Sequence, residues 1–238
     1  MYCTTQFVKY CCVYRHNKSY EYTREGAIMA VLTMDMVQTI VKTMAKTAEE
    51  NRQYFSDLDA VMGDGDFGES LATGFRAVTE KWNSFDMSNI GSFLMGVTQA
   101  IAGSTGGCTG AVWGTLFMRC GMKLMGKTEF TLAEGADALE SAIEGISKRG
   151  GAVLGDKTVL DAFDVIVKSL RASVEADDDL HTALSKAAEA AVECKETTKG
   201  WVAKRGRQFF TGDRSIGTYD PGIVAVGIIA TNIAEALK

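Results

Sequence analysis

A chain of 238 residues that contains a single proline, Pro221, is strongly biased towards helix. Proline is excluded from helix interiors and supplies many turns of all-β folds, so a chain almost without it can carry long helices joined by short loops. Glycine accounts for 25 of the 238 residues, a larger share than the roughly 7% found in ordinary chains. The proline content therefore favours an all-α fold, and the glycines need a separate explanation.

Apolar residues recur at helical spacing from residue 30 onward. Eight such segments follow one another without a linker or low-complexity tract, and they open near Met36, Leu71, Ile90, Val112, Leu132, Leu160, Leu180 and Ile223. The last of them is apolar on almost every side, which is typical of a deeply packed helix. We predict one all-α domain over residues 29–238.

The first 28 residues have a different character. They carry aromatic residues and cysteines but no apolar helical period, and they lack the apolar stretch and cleavage site of a secretory signal. Met29 then opens an amphipathic pattern. We predict that the native start lies at or near Met29 and that residues 1–28 are a translated leader or a disordered extension.

Composition excludes several classes of function. The net charge of −5 offers no basic surface for nucleic acid, and no apolar run approaches the 18 or so residues of a membrane span. The six cysteines form no CxxC pair, and His16 and His181 are the only histidines, which argues against zinc. Free thiols are typical of a reducing compartment, so we expect a cytoplasmic protein that binds neither nucleic acid nor membrane.

The glycines concentrate in four clusters between the predicted helices, at residues 63–68, 103–110, 150–155 and 206–222. Glycine adopts positive φ readily and lets backbone N–H groups approach a ligand closely. Helix N-termini bind phosphate through such N–H groups. Several glycine-rich turns on one helical scaffold therefore suggest a phosphate-bearing ligand held at helix ends.

Two nucleotide-binding patterns match by letter but not by context. Gly63-x-Gly65-x-x-Gly68 has the spacing of the dinucleotide fingerprint, yet no apolar strand precedes it and two carboxylates would repel the pyrophosphate. Residues 121–128 have the P-loop spacing, but bulky side chains fill the loop and no strand leads into it. We interpret residues 121–128 as a helix end followed by a turn.

An acidic turn is the strongest candidate for a metal site. Asp59, Asp64 and Asp66 fall within eight residues of one another in the first glycine cluster. Oxygen ligands without His or Cys favour Mg²⁺ over zinc or copper, whereas an EF-hand is excluded because its twelfth position is not Glu. Solvated acids that cap the next helix fit the spacing equally well, so both interpretations stay open.

Other polar residues stand at predicted helix starts. Thr109 follows a glycine pair and begins a helix, and residues 220–222, Asp-Pro-Gly, have the order of an N-cap and first turn. Arg207 and Arg214 lie just upstream, and a phosphate would attract either one. Each is explained by structure alone when taken singly, whereas their joint presence favours a phosphate site.

Residues 58–68, 106–110, 155–161 and 203–222 together resemble the ADP-binding L subunit family of dihydroxyacetone kinases. The clearest match is the last, where AKRGR continues to GDRSIGTYDPG. The resemblance covers about residues 34–238 in order and leaves the first 28 residues outside it.

The resemblance implies an eight-helix antiparallel up-and-down barrel with ADP or ATP bound at one end through two Mg²⁺ ions. It implies that the metal ligands are Asp59, Asp64 and Asp66. The nucleotide-binding positions that it implies are Phe67, Gly68, Glu69, Ser70, Cys108, Thr109, Gly150, Val159, Arg207, Asp220, Pro221 and Gly222.

The resemblance also implies partners. Bound ADP would accept a phosphoryl group from a phosphohistidine on a donor M subunit and pass it to a ketose held by a separate K subunit, and a homodimer is among the expected assemblies. The alternative is a nucleotide-dependent regulatory protein that contacts a transcription regulator, or a specialised paralogue that acts on another small ketose.

The chain departs from the family pattern at two positions. Phe67 stands where the family usually has His, and Ser70 where it usually has Asn. Each change removes a polar contact expected near the phosphates, while all three carboxylates are kept. Nucleotide binding is therefore still expected.

Overall fold

The computed structural model describes residues 20–22 and 28–238. Most of that length is helical. In chain order the elements are β1 Tyr20–Tyr22, β2 Ile28–Thr33, α1 Met34–Glu50, α2 Arg52–Ala60, α3 Phe67–Glu80, α4 Ile90–Ser104, α5 Gly107–Lys123, β3 Glu129–Thr131, α6 Leu132–Gly150, α7 Val159–Glu175, α8 Leu180–Lys199 and α9 Pro221–Ala236, with 3₁₀ turns at Trp82–Ser84 and Arg207–Ser215.

The helices form a closed up-and-down barrel, which confirms the predicted fold class. Each helix packs against the next, and α9 packs against α8 on one side and against α1 and α2 on the other. The amide of Asn232 donates to Thr47 Oγ1 at 2.9 Å across this closure. The eight predicted segments correspond to α1 and α3–α9, whereas α2 continues the wall begun by α1 after a break at Asn51.

Three short strands add a small antiparallel sheet that the sequence did not predict. β2 lies between β1 and β3, with Val31 opposite Thr131 and Leu32 opposite Phe130. The strands are too short to show alternation, and β2 and β3 pair across about a hundred residues of chain. The predicted domain start at Met29 falls inside β2, while residues 1–19 and 23–27 of the predicted leader lie outside the described residues.

An aromatic stack fills the barrel interior. Trp113 of α5 lies between Phe75 of α3 and Phe163 of α7, with ring centroids 5.8 and 6.2 Å apart and edge-on geometry. All three side chains are nearly fully buried, and burial of such rings contributes strongly to core stability. The stack closes the barrel beneath one of its ends.

Neither the dinucleotide-fingerprint spacing at residues 63–68 nor the P-loop spacing at residues 121–128 follows a strand, as those motifs require. Helix α5 ends at Lys123, a turn follows, and no strand leads into residues 121–128, so the interpretation as a helix end is confirmed. Helix α2, not a strand, precedes Gly63. None of the described helices combines the length and apolarity that a membrane crossing requires.

Candidate nucleotide and metal site

Four helices begin at the same end of the barrel because successive helices run in opposite directions. These are α3, α5, α7 and α9, and their first residues surround a cavity of about 630 Å³. A helix N-terminus carries a partial positive charge and unpaired N–H groups. The cavity is therefore suited to an anionic ligand before any side chain is considered.

The acidic turn between α2 and α3 brings its three carboxylates together. One oxygen from each of Asp59, Asp64 and Asp66 lies within 4.8 Å of the others. Asp59 is buried, and its Oδ2 accepts from the Phe67 backbone N–H at 3.3 Å, which anchors it to the start of α3.

Two glycines permit this turn. A Cβ on Gly63 would lie 2.2 Å from Asp59 Oδ1, so a side chain there would displace the carboxylate. Gly65 adopts φ +76°, a conformation that side-chain-bearing residues rarely take. The glycine spacing of residues 63–68 therefore serves the acidic cluster.

A cation already faces the acidic cluster. The Arg207 guanidinium contacts a carboxylate oxygen of Asp64, and its Nη2 lies 3.5 Å from Asp66 Oδ2. Arg207 reaches across from the loop between α8 and α9, so it links the two sides of the cavity mouth. The pairing shows that the cluster attracts positive charge.

The inner wall of the cavity is mainly apolar. Trp113 of the aromatic stack lines it, together with Val112, Ile146, Ala152, Val159, Leu160 and Pro221. Ligand sites commonly combine such a wall with a few placed polar groups. The arrangement suits a ligand with one charged part at the acidic turn and one flat apolar part.

Lys157 holds the two longest loops of this end together. Its side chain is buried, and Nζ donates to the carbonyls of Ser215 and Trp201 at 2.7 and 3.1 Å. Burial lowers the pKa of this ammonium group, against the attraction of Asp220. Arg205 adds a second link to the same loop pair through Asp156, with Nε 3.2 Å from Oδ2.

Asp220 caps α9 from within the cavity wall. Its Oδ1 accepts from the Ile223 backbone N–H at 2.8 Å, as predicted for an N-cap residue. Burial raises the pKa of this carboxyl to about 6, although the Ile223 hydrogen bond and Lys157 oppose the shift. Desolvation, and then Asp220, raise the pKa of the Cys108 thiol, which disfavours a thiolate nucleophile there.

Twelve of the fifteen predicted site residues line the cavity: Asp59, Asp66, Phe67, Ser70, Cys108, Thr109, Gly150, Val159, Arg207, Asp220, Pro221 and Gly222. Asp64 stands at its edge, in the acidic cluster. Gly68 packs against α2 instead, and Glu69 pairs with Arg52 on the outer surface at 2.6 Å. Arg214, the other candidate arginine, is not among the lining residues.

Phe67 and Ser70, the two positions at which the chain departs from the family pattern, have different environments. The Phe67 ring packs 6.2 Å from that of Phe55, a fully buried residue of α2. An imidazole there would meet an apolar neighbour, so Phe67 is compatible with local packing. Ser70 lies one turn into α3, and its carbonyl accepts from Thr105 Oγ1 at 3.3 Å.

Sequence reasoning missed several lining residues. Arg149 ends α6 beside Gly150, and its Nη1 donates to Thr115 Oγ1 at 3.2 Å. Gln208 and Trp113 also line the cavity, although the sequence analysis does not predict them as site residues. Trp113 belongs to a helical apolar stripe, and Gln208 gives no sequence signal beyond its position next to Arg207.

The donor set of the acidic turn fits magnesium. All three candidate ligands supply carboxylate oxygen, and the described residues bring no His or Cys into the cluster. The Arg207 guanidinium lies against two of the same carboxylates, where a metal cation would also bind. Asp59, Asp64 and Asp66 would hold the ion, which when bound offsets the charge of phosphate oxygens.

A family model for the DAK2 domain matches residues 61–235. The chain belongs to this family. The match begins within the acidic turn, after Asp59, and includes all the glycine clusters that contribute to the cavity.

Curated relatives agree with the DAK2 assignment. The chain is 33% identical to the ADP-binding subunit DhaL of the PEP-dependent dihydroxyacetone kinase of Escherichia coli, over 78% of this chain and 89% of that one. It is 32% identical to the ADP-binding subunit DhaL of PEP-dependent dihydroxyacetone kinase 2 of Listeria innocua, over 88% and 99%. It is 30% identical to the L-erythrulose 1-kinase of Mycolicibacterium smegmatis, over 84% of this chain but 35% of that enzyme.

A solved structure has the same fold. The dihydroxyacetone kinase of C. freundii superposes with a TM-score of 0.68 at 22% identity, over 95% of this chain and 38% of that one. The same kinase in complex with AMP-PNP and Mg²⁺ gives a TM-score of 0.64. The chain therefore spans well under half of the larger single-chain kinases that it resembles.

Proposed function

We propose that this chain is the nucleotide-binding subunit of a dihydroxyacetone-type kinase. It holds ADP with two Mg²⁺ ions and passes a phosphoryl group from a phosphohistidine donor subunit to a ketose on a separate subunit, in the cytoplasm. The observation that carries the proposal is the cavity itself, where four helix N-termini and Arg207 surround three clustered carboxylates.

The cavity residues have separable tasks in this proposal. Asp59, Asp64 and Asp66 hold the metal, the helix starts and Arg207 bind phosphate oxygens, and the apolar wall receives the base. Phosphoryl transfer depends mainly on positioning and charge neutralisation, so a subunit that binds only the nucleotide can still contribute half of the active site. The relatives' names supply the substrate class, which is a small ketose.

Binding of ADP with Mg²⁺ tests the proposal directly. Titration calorimetry of the purified chain should detect ADP binding that depends on Mg²⁺ and is abolished in Asp64→Ala. Asp57→Ala is the matched control, because Asp57 is an exposed acid of α2, close in sequence to the cluster, whose Oδ1 accepts from Gln53 at 2.8 Å. Undiminished ADP binding by Asp64→Ala would reject the metal assignment.

Reconstitution separates the relay from the alternative. With the K and M subunits of a DhaL relative and a phosphoenolpyruvate-driven donor, the chain should yield phosphorylated dihydroxyacetone or erythrulose. Product formed from ATP without a donor subunit would instead indicate a nucleotide-exchanging kinase. Nucleotide binding without product would favour the regulatory alternative, which the apolar Phe67 beside the acidic turn supports.

A further inference from the structure

One buried polar side-chain atom at the cavity is an unsatisfied hydrogen-bond acceptor among the described residues. Gln208 is only 5% exposed, lines the cavity, and donates from Nε2 to the Tyr219 carbonyl at 3.1 Å. Its Oε1 has no hydrogen-bond partner within the part of the chain that the structure describes. The orientation of the amide is fixed, because a flipped amide would turn oxygen towards the Tyr219 carbonyl oxygen.

An unsatisfied buried acceptor is costly, so the site favours a ligand that brings a donor. The phosphates of a nucleoside diphosphate are acceptors only. Donors on such a ligand are the ribose hydroxyls and, for adenine, the 6-amino group. The orphaned oxygen therefore points to the nucleoside half of the ligand.

The position of Gln208 favours the base over the ribose. Its neighbour Arg207 contacts the acidic turn, whereas the Gln208 amide donates to Tyr219, the residue that precedes Asp220. Pro221 follows directly and belongs to the apolar wall with Val159 and Leu160. Gln208 lines the same cavity as that wall, so a flat base seated there can present its edge to the Gln208 oxygen.

We propose that the Gln208 side-chain oxygen accepts a hydrogen bond from the 6-amino group of a bound adenine nucleotide and thereby sets base specificity. This inference rests on the proposed function, because it requires nucleotide in the cavity. Guanine and hypoxanthine present an acceptor at the same ring position, and two facing acceptors repel. The cavity would thus discriminate against them without any steric block.

The test compares ADP with purine riboside 5′-diphosphate, which lacks only the amino group, by calorimetry in Mg²⁺. The wild-type chain should bind ADP about tenfold more tightly, the effect of one hydrogen bond. In Gln208→Met, the ADP affinity should fall about tenfold and the affinity for the amine-free analogue should stay unchanged. Thr211→Val is the control, because it removes a 2.6 Å bond to the Gln208 carbonyl and leaves Oε1 in place.

Each other outcome overturns the inference. Equal wild-type affinity for the two ligands excludes an amine contact, whatever the variants do. Equal weakening of both ligands by Gln208→Met means that the residue only supports the loop. A contrast between ADP and 2′-deoxy- or 3′-deoxy-ADP that disappears in Gln208→Met assigns the contact to ribose. A wild-type chain that binds ADP and loses it in Asp64→Ala keeps the proposed function in all three cases, whereas a chain that binds no ADP removes both.

Discussion

At the scale of single residues, Asp220 combines a structural and an electrostatic role. Its carboxyl caps α9 and is desolvated in the cavity wall, which raises its pKa to about 6. An unfolded Asp titrates near 3.9, so the folded chain binds more protons between about pH 4 and pH 6. Its contribution to the free energy of unfolding is therefore fully present below pH 4 and is lost as the pH rises through 6.

Asp220→Asn should remove this pH dependence while it keeps the cap, since Asn also accepts at an N-cap. Without nucleotide, the variant should be more stable than the wild type at pH 7.5, by up to about 3 kcal/mol, and no more stable at pH 4. Urea unfolding at both pH values measures the difference. Asp213→Asn, at an exposed acid of the same loop, is the control. Equal effects of Asp220→Asn at both pH values would contradict the raised pKa.

Residue chemistry explains which site residues the sequence revealed. Clustered carboxylates, glycines and an Asp-Pro-Gly cap have functions that follow from the residue type itself, so the sequence identifies Asp59, Asp66 and Asp220 as candidates. Arg149 and Gln208 acquire their roles only from what the fold places opposite them. A long polar side chain at a helix end gives no sign of whether it faces solvent or a cavity.

At the scale of elements, the contact between α2 and α3 positions the acidic turn that joins them. A Cβ on Gly68 would lie 2.0 Å from the Arg52 carbonyl oxygen and 2.7 Å from the Ser56 backbone nitrogen. Both atoms belong to the α2 backbone, so they can move away only if the helix itself moves. The glycine that the family resemblance assigned to nucleotide binding therefore contributes through helix packing in this structure.

Gly68→Ala should separate the two helices and lower the free energy of unfolding by about 1–3 kcal/mol, with weaker ADP binding as the turn shifts. Gly103→Ala is the matched control, because Gly103 lies in α4 and a Cβ added there would meet no described atom within 4 Å. That change should be neutral or stabilise by up to about 1 kcal/mol through helix propensity. Urea unfolding and ADP titration of both variants provide the comparison, and equal stability would refute the packing role.

The elements that periodicity predicted are the long ones. Helices α1 and α3–α9 each bury an apolar stripe that repeats over several turns, which is the condition under which the pattern is reliable. Helix α2 buries only Phe55 and Asp59, so no stripe reveals it. Strand β3 depends on pairing with β2 about a hundred residues earlier in the chain, which a local pattern cannot record, and β1 is only three residues long.

At the scale of the whole molecule, ligand and fold should stabilise each other. A ligand that binds only the folded chain, at about 100 times its Kd, adds about 2.7 kcal/mol. For a domain of this size that corresponds to a rise in Tm of roughly 5–10 °C. ADP with Mg²⁺ should produce this rise, and EDTA should remove it.

Thermal unfolding followed by circular dichroism measures the shift. Asp66→Asn should abolish it, because the cluster then has one fewer anionic ligand, whereas Asp57→Ala should retain it. A shift with ADP that is equally large in EDTA would show that the nucleotide binds without the metal. That result would argue against the role given to the acidic turn and leave the cavity itself as the nucleotide site.

The alternating direction of the helices imposes a parity rule on the molecule. The starts of α3, α5, α7 and α9 share one end only because one returning helix lies between each pair. Gain or loss of a single helix within this series would invert every later one and turn its N-terminus to the opposite end. Helices can therefore be added or removed only in pairs if the cavity is to keep its ring of positive dipole ends.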